Sequence, residues 1–467
     1  MEQGFNTDIC VIGGGPAGSV IAKQLAKLNH QILLVEKAQF PRQHVGICLS
    51  ETTNVLLNHL GVHEEMEKAG FWKRKQTFVT WNTEEPVIAN QPGMHVDRGK
   101  FDHILLDSAQ NAGVSIQQSM RVISVKRDPM EGWHLKLDKE GQNINVKAKF
   151  LVDASGRANV LSNKKIRYAP PLFSLHANWE LKSDSSCDGL MEAGEAAWLW
   201  IAHLGNRKAM ISVYSDPKRM SESKMTPKGY YLSILEQFSG LKYFERNLLI
   251  SKVHGCDASS RYNPDPVGKD YIRVGDACLS VDPMASQGVH LALSSSIQAA
   301  VVVNTLIRYP ENTDLALDFY RNSQKKRIKQ FVERTAFEYA RASVAWPNSF
   351  WKDRSKGAPL HLNEDPLHVP MPKLNTGIQL CDQTQFLPTP VLQETKVSLQ
   401  FALHHPILEQ PVAYLGNQSI VPLLKKVRPK QTVDDIISQW KTIISPDLSQ
   451  QIFQWLWQHK ILIAVEN

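Results

Sequence analysis

The sequence has no cysteine pair in C-x-x-C spacing. Its six cysteines, Cys10, Cys48, Cys187, Cys256, Cys278 and Cys381, are scattered over 467 residues. That argues against a disulfide framework and against a structural zinc site. The sixteen histidines form no H-E-x-x-H or similar ligand spacing, so no metal is expected. No apolar run reads as long enough to span a bilayer. The opening residues MEQGFNTD lack the basic-then-apolar order of a secretory signal. The expectation is a cytoplasmic protein with no membrane partner. Internal repeats and low-complexity tracts are also missing. The net charge of +7 is partly local, in Lys325-Lys326-Arg327 and Lys425-Lys426-Val427-Arg428. No nucleic-acid motif accompanies these runs, so they read as solvated helix faces and no nucleic-acid partner is expected. The sign suits an anionic cofactor or an acidic partner surface.

What is present is concentrated near the start. Residues 9–12 form a short apolar strand, followed by Gly13, Gly15 and Gly18 in G-x-G-x-x-G spacing. A helix pattern runs over 16–28, and a second apolar strand over 32–35 ends at Glu36. Each part has a physical task. Gly13 permits a tight turn, Gly15 lets a pyrophosphate approach the backbone, and Gly18 lets the helix pack close to the strand. The helix N-terminus offers partial positive charge to phosphates. An acid about 20 residues on accepts hydrogen bonds from a ribose, the place Glu36 takes.

Further along, Arg42, His44 and Cys48 lie in a loop that leads into a helix at 51–60. Gly70 to Lys75 leads into a strand-like run over 76–81; if it is extended, Lys73, Lys75 and Thr77 share a face. Val96-Asp97-Arg98 opens a helix over 101–112, which Gly113 caps. Strands are expected at 114–116, 120–125 and 133–137, and a buried strand ends in Asp153-Ala154-Ser155-Gly156-Arg157. From about 172 to 253 strands alternate with little helix, which reads as an antiparallel sheet layered over the nucleotide domain. Residues 271–277 are strand then turn, 280–289 a second turn, and 290–306 a buried helix. Long amphipathic helices fill 314–345. A hairpin is expected at 412–415 and 419–424 around Gly416-Asn417. Thr432 and Ser445-Pro446 then cap two helices.

Taken in this order, the motifs resemble those of the FAD-dependent monooxygenases and halogenases of the two-glycine-motif type, over roughly residues 5–355. They are the glycine turn, V-D-R-x-x-F-D at 96–102, D-A-S-G-R at 153–157, V-G-D-A at 274–277 and D-P-x-x-S-x-G-V-H at 282–290. The resemblance implies FAD, held by Gly13, Gly15, Pro16, Ala17, Gly18, Glu36, Lys37, Arg42, Arg98, Asp153, Gly275, Asp276, Pro283, Gln287, Gly288 and Val289. Asp276 is expected on the ribityl chain and 283–288 against the isoalloxazine ring.

Halogenases of this type carry W-x-W-x-I-P. Here Trp198 and Trp200 match, but Ala202 and His203 do not. Lys73 or Lys75 could stand for the halogenase lysine, though the spacing is off by about one residue. The usual G-E-S reads Gly46-Ile47-Cys48. The sequence more closely resembles the flavoprotein monooxygenases that hydroxylate a protein tryptophan in tryptophylquinone biogenesis. That resemblance rests on D-P-x-x-S-Q-G at 282–288 and on Trp346-Pro347 with Phe350-Trp351 to Arg354.

The expected fold is α/β: a Rossmann-like FAD-binding domain (1–170 and 261–355, the second part with long helices), an antiparallel-sheet substrate domain (171–260), a linker (356–387) and a small C-terminal winged-helix-like module (388–467). The expected activity is FAD-dependent hydroxylation of an aromatic ring, with a peptide-borne tryptophan as substrate. Halogenation, or a non-catalytic flavin-bearing peptide-binding role, are the alternatives. Lys73, Lys75, His203, His290 and Trp200 are the catalytic candidates. A lysine in a basic run is more often a solvated cation, and a histidine more often a structural one. The reductant is expected to be NAD(P)H or a flavin reductase.

Overall fold

The computed structural model describes residues 4–42, 44, 48–83, 85–161, 164–182, 187–243, 246–359 and 369–465. Gly46 and Ile47, and part of the expected linker (360–368), lie outside the described residues. The chain divides into two compact units, 1–313 with 320–360, and 314–319 with 361–467.

In the larger unit, strands Ser115–Gln117, Ile32–Val35, Gly4–Ile12, Gln142–Asp153 and Tyr271–Arg273 form a parallel sheet in that spatial order. The first strand is apolar on both faces at its C-terminal end, with Ile9, Cys10 and Val11 fully buried, as a sheet covered on both sides requires. Strands Gly132–Lys139 and Arg121–Asp128 extend it as an antiparallel meander. Helices Pro16–Lys27, Arg98–Asn111 and Gly288–Arg308 pack beside one another in this unit. Against the expectation of no bilayer-length apolar run, Gly288–Arg308 has that length and composition. Its small apolar residues are mostly buried instead, against helix Pro16–Lys27.

A second, nine-stranded sheet runs Arg246–Leu249, Phe173–Leu181, Lys208–Ser215, Ala197–Gly205, Gly189–Ala193, Trp72–Thr80, Val87–His95 and Cys48–Ser50, with His254–Asp257 also paired to Phe173–Leu181. It reaches beyond 171–260 by recruiting three strands from 48–95. It is also mixed, because Gly189–Ala193 pairs parallel to Trp72–Thr80. One of its faces is apolar: Leu175, Leu199, Ile201, Ile211 and Val213 pack with Tyr231, Ile234 and Leu235. Those last residues belong to helix Pro227–Leu235, in a stretch where little helix was expected. Thr226 caps it and Pro227 sits in its first turn, where a missing N–H costs nothing. With one face closed by helix, the opposite face is left for function.

The smaller unit holds a three-stranded sheet (Gln431–Thr432, Gly377–Leu380, Leu462–Ala464), a hairpin (Gln385–Leu392 with Val397–His404) and helices Val433–Lys441 and Pro446–Gln458. Thr432 and Asp435 form a reciprocal capping box, and the Ser445 side chain caps the second helix. Strand Gly377–Leu380 falls in the expected linker, so the module begins before 388. The turn hairpin is only Tyr414–Leu415 with Gln418–Ser419, around Gly416 and Asn417 at positive φ. Val421–Leu424 is helical rather than strand, since Pro422 cannot donate to a ladder but fits a first helical turn. Trp440 is fully buried, and Trp455 and Trp457 pack against the same core.

Candidate active site

The glycine turn is built by close contact. Gly13 has φ +107°, and a Cβ there would lie 2.4 Å from the Ala154 carbonyl oxygen. A Cβ at Gly18 would lie 1.7 Å from the Gly13 oxygen. Only glycine lets helix Pro16–Lys27 start this near the strand end. Gly15 is the helix N-cap and has no side-chain cap, which leaves the first helical amides free to face a ligand.

Glu36, only 3% exposed, accepts from the Gly14 amide at 2.7 Å and from the Ala38 amide at 2.8 Å. The Arg42 guanidinium stands beside Gly15, 3.9 Å from Glu36 and 3.5 Å from Asp102. Arg98 is held on Asp102 at 2.8 and 3.1 Å. Buried Nε of Arg42 has no partner among the described residues. Two guanidiniums and a helix N-terminus thus converge where Gly15 leaves room, a donor set that fits a pyrophosphate.

From this point a cavity of about 710 Å³ runs between the parallel sheet and the open face of the second sheet. That size is in the range of ligand-holding clefts. The cross-strand register sets its far wall. One row is His176, Ser212, Trp200 and Met191; the next is Cys256, Ser174, Tyr214 and Trp198. Trp198 and Tyr214 stack with centroids 3.8 Å apart and planes 12° from parallel. These residues come from five strands spread over 173–257, and only Trp198 and Trp200 stand in a local motif. For the rest the only sequence signal is the alternation of small polar or aromatic side chains with apolar ones along each strand.

The opposite wall carries Asp282, Pro283, Gln287 and Gly288. Asp282 is 3% exposed, with Met284 N–H donating at 3.0 Å and Tyr339 Oη–H at 3.1 Å. Trp198 Nε1 donates in turn to Tyr339 Oη at 3.2 Å. Burial pushes the Asp282 carboxyl up to about 6, against the lowering pull of these bonds and of Arg354 and Arg157. Asp276, partly exposed, lies 3.4 Å from Arg157 Nε. Asp282, Tyr339, Arg157 and His176 were not singled out in the sequence, although Asp282 and Arg157 stand inside its motifs.

Gly13, Gly15, Pro16, Ala17, Glu36, Lys37, Arg42, Arg98, Asp276, Pro283, Gln287, Gly288, Val289 and Trp200 all line the cavity. Gly18 and Gly275 do not; they are close-packing positions, Gly275 having φ +55° with its would-be Cβ 2.8 Å from Ala17 Cβ. Fully buried Asp153 shapes the turn that follows it, accepting from Ser155 N–H at 3.0 Å and Leu161 N–H at 3.1 Å.

The catalytic candidates separate. Lys73 is exposed and ion-paired to Glu67 at 2.6 Å, and Lys75 is exposed; neither lines the cavity. A register shift between Arg74 and Gln76 puts Thr77 in the interior, so the three do not share a face. His203 is buried against Trp72, centroids 4.3 Å apart. His290, in the first turn of helix Gly288–Arg308, is 3.5 Å from Thr53 Oγ1, and its pKa is lowered by burial and then by Arg327. Neither histidine lines the cavity. Cys48 does, with its thiol pushed up by burial despite Arg74 at 2.6 Å.

Comparison with known proteins adds to this geometry. The model of an FAD binding domain matches residues 6–173. The tryptophan 2-halogenase of Chondromyces crocatus is 28% identical over 344 residues, which is 69% of this chain and just under two thirds, 65%, of that enzyme. The chlorinase of pyrrole-2-carbonyl peptidyl-carrier protein from Pseudomonas fluorescens is 27% identical over 70% of this chain and 82% of its own length. Among solved structures, the flavin-dependent halogenase CmlS superposes with a TM-score of 0.78 at 19% identity, covering 99% of this chain and 96% of that one. The peptidyl tryptophan dihydroxylase QhpG superposes with a TM-score of 0.73 at 25% identity, over 97% of this chain and 99% of that one.

Proposed function

We propose that the chain is an FAD-dependent oxidoreductase akin to the flavin-dependent halogenases and monooxygenases, and that it hydroxylates an aromatic ring, a tryptophan carried on a peptide, in the maturation of a quinone cofactor. The observation that carries the reading is the composition of the cavity. Its far wall carries Trp198, Trp200, Tyr214, Met191 and Met210, and the one lysine among its described lining residues is Lys37, next to Glu36. A halide-transferring lysine needs to face the substrate, and Lys73 and Lys75 point elsewhere.

Gly13, Gly15, Glu36 and Arg42 would hold the dinucleotide end of the cofactor, Asp276 and the 283–288 backbone its flavin end. Reduced FAD supplies the two electrons that activate dioxygen; overall, ring C–H, dioxygen and two reducing equivalents become ring C–OH and water. The chain binds, orients and keeps water out. The apolar wall excludes water that would otherwise divert the oxidant. Asp282 can hold a proton near neutral pH at the carboxyl that Tyr339 steadies. NAD(P)H, or a separate flavin reductase, would reduce the cofactor.

The second reading, halogenation of an aromatic ring, is favoured by the names of the relatives in sequence and by the Trp198 and Trp200 pair. The two readings part on product mass. Incubation of the reduced holoprotein with a tryptophan peptide, dioxygen, chloride and bromide is expected to add oxygen to the peptide. Replacement of hydrogen by halogen would overturn the hydroxylation reading.

A further inference from the structure

His176 is a buried imidazole that none of the chemistry above uses. It sits on strand Phe173–Leu181 of the cavity wall, 9% exposed, and lines the cavity. Its Nδ1 is buried without a partner, and no hydrogen bond to either ring nitrogen is described. His254 on the adjacent strand stacks on it, nearly parallel at 5.8 Å between centroids. Stacking leaves the in-plane nitrogens unsatisfied. Burial, with His254 and His44 adding repulsion, pulls the imidazole down to about 4, so it is neutral at physiological pH. A neutral imidazole carries one N–H and one acceptor nitrogen. An unpaired buried acceptor is destabilising, and a site that keeps one is shaped to bond something that arrives later.

The register shows what surrounds it. Ser212 is directly across from His176, Trp200 directly across from Ser212, and Met191 beyond Trp200. The row therefore offers an aromatic plane and a thioether with a hydrogen-bonding nitrogen two strands away. A flat apolar ring with one polar donor on its edge matches that spacing of chemistry; an indole is such a ring.

We propose that His176 is the specificity-determining residue of the cavity, accepting a hydrogen bond from the ring N–H of an indole substrate whose face packs on the Trp200 and Met191 side. The inference rests on the aromatic-substrate reading above and adds the feature of the ring that is read. Phenyl and thiophene-fused rings of the same size would fill the cavity but leave the imidazole unpaired. Rejection of such analogues follows from the site's stranded polar group rather than from shape.

The test uses the FAD-loaded full chain and two short blocked peptides. One contains tryptophan; the other contains 3-benzothienylalanine, in which sulfur replaces the ring N–H at nearly the same shape. Binding to the oxidised enzyme is followed by the perturbation of flavin absorbance, a readout that does not depend on which product is made. Wild type is expected to bind the tryptophan peptide about ten- to a hundredfold more tightly. In His176→Phe the two affinities should converge to within about twofold. His176→Gln keeps an acceptor and should keep at least part of the preference, which holds the test open if the phenylalanine variant does not fold. Equal affinity of wild type for both peptides, no saturable binding of the tryptophan peptide, or undiminished discrimination in His176→Phe would overturn the assignment. A halogenated product would sink the hydroxylation reading while leaving this measurement intact.

Discussion

Two glycines three residues apart in the same turn should respond to substitution in opposite ways. At Gly18 an added methyl would sit 1.7 Å from the Gly13 carbonyl oxygen. A relaxed carbon–oxygen contact is about 3.3 Å or more, so the helix or the turn has to move by roughly 1.5 Å. Overpacking of this kind costs about 1–3 kcal/mol, sometimes more. The better helix propensity of alanine returns about 1 kcal/mol. Because the clash is with backbone, the cost falls at the upper end, about 3 kcal/mol, and Gly18→Ala should lower apoprotein stability by about 2 kcal/mol net, a fall in Tm of a few degrees.

At Gly15 the backbone has φ −71° and ψ −176°, open to any residue. The methyl would meet only the Arg42 Nη2 tip at 3.1 Å, the end of a flexible side chain. Gly15→Val should leave the apoprotein Tm nearly unchanged yet block the approach of the pyrophosphate, weakening FAD by at least about tenfold. Thermal melts of the stripped proteins, followed by FAD titration monitored by fluorescence quenching, separate the two effects. If Gly18→Ala melts with wild type, or Gly15→Val takes up FAD with wild-type affinity, the cradle is not where the geometry puts it.

Lys73→Met and Lys75→Met should each leave the rate of product formation within about twofold of wild type, since both lysines are solvated and exposed ion pairs contribute little; abolished turnover in either would restore a lysine relay. Asp282 has a folded pKa of about 6 against an ordinary 3.8. The folded state holds its proton through that interval while the unfolded state has released it, so stability from this group is greatest at the acid end and is lost as pH rises through 6. The loss is roughly 3 kcal/mol at most. Asp282→Asn should remove that slope from apoprotein melts, and a slope identical to wild type would show the carboxyl to be ordinary. Truncation after Pro359, ahead of strand Gly377–Leu380, asks whether the smaller unit recruits a peptide substrate. The shortened protein should keep FAD and lose turnover of a long peptide more than of a short one; equal losses would exclude recruitment.

The parts of the site legible in the sequence are those one turn can express. Gly13, Gly15, Gly18 and Glu36 are spaced by the geometry of a single strand–helix–strand unit, and the cap signals at Thr432 and Ser445 are likewise local. The substrate wall is different in kind. His176, Ser212, Trp200 and Met191 become neighbours only through the pairing of four strands, and pairing register is not written in any one of them. Lys73 and Lys75 illustrate the opposite hazard. Their alternation with Thr77 implied a shared face, and a single register shift at Arg74/Gln76 removed it. Asp153 matched a motif expected to meet the cofactor, but its carboxylate is occupied by the amides of its own turn. Strand Gly377–Leu380 was hidden because it is short and its partners, Gln431–Thr432 and Leu462–Ala464, lie far along the chain.

The central claim is that this flavoprotein places oxygen, not halogen, on an aromatic ring. It is tested most directly by a single turnover of chemically reduced, FAD-loaded enzyme with a tryptophan peptide, isotopically labelled dioxygen, and chloride and bromide together in excess. The account predicts a peptide heavier by labelled oxygen, with the label on the indole ring in tandem mass spectrometry. A peptide carrying chlorine or bromine in place of a ring hydrogen, with no labelled oxygen, would contradict it.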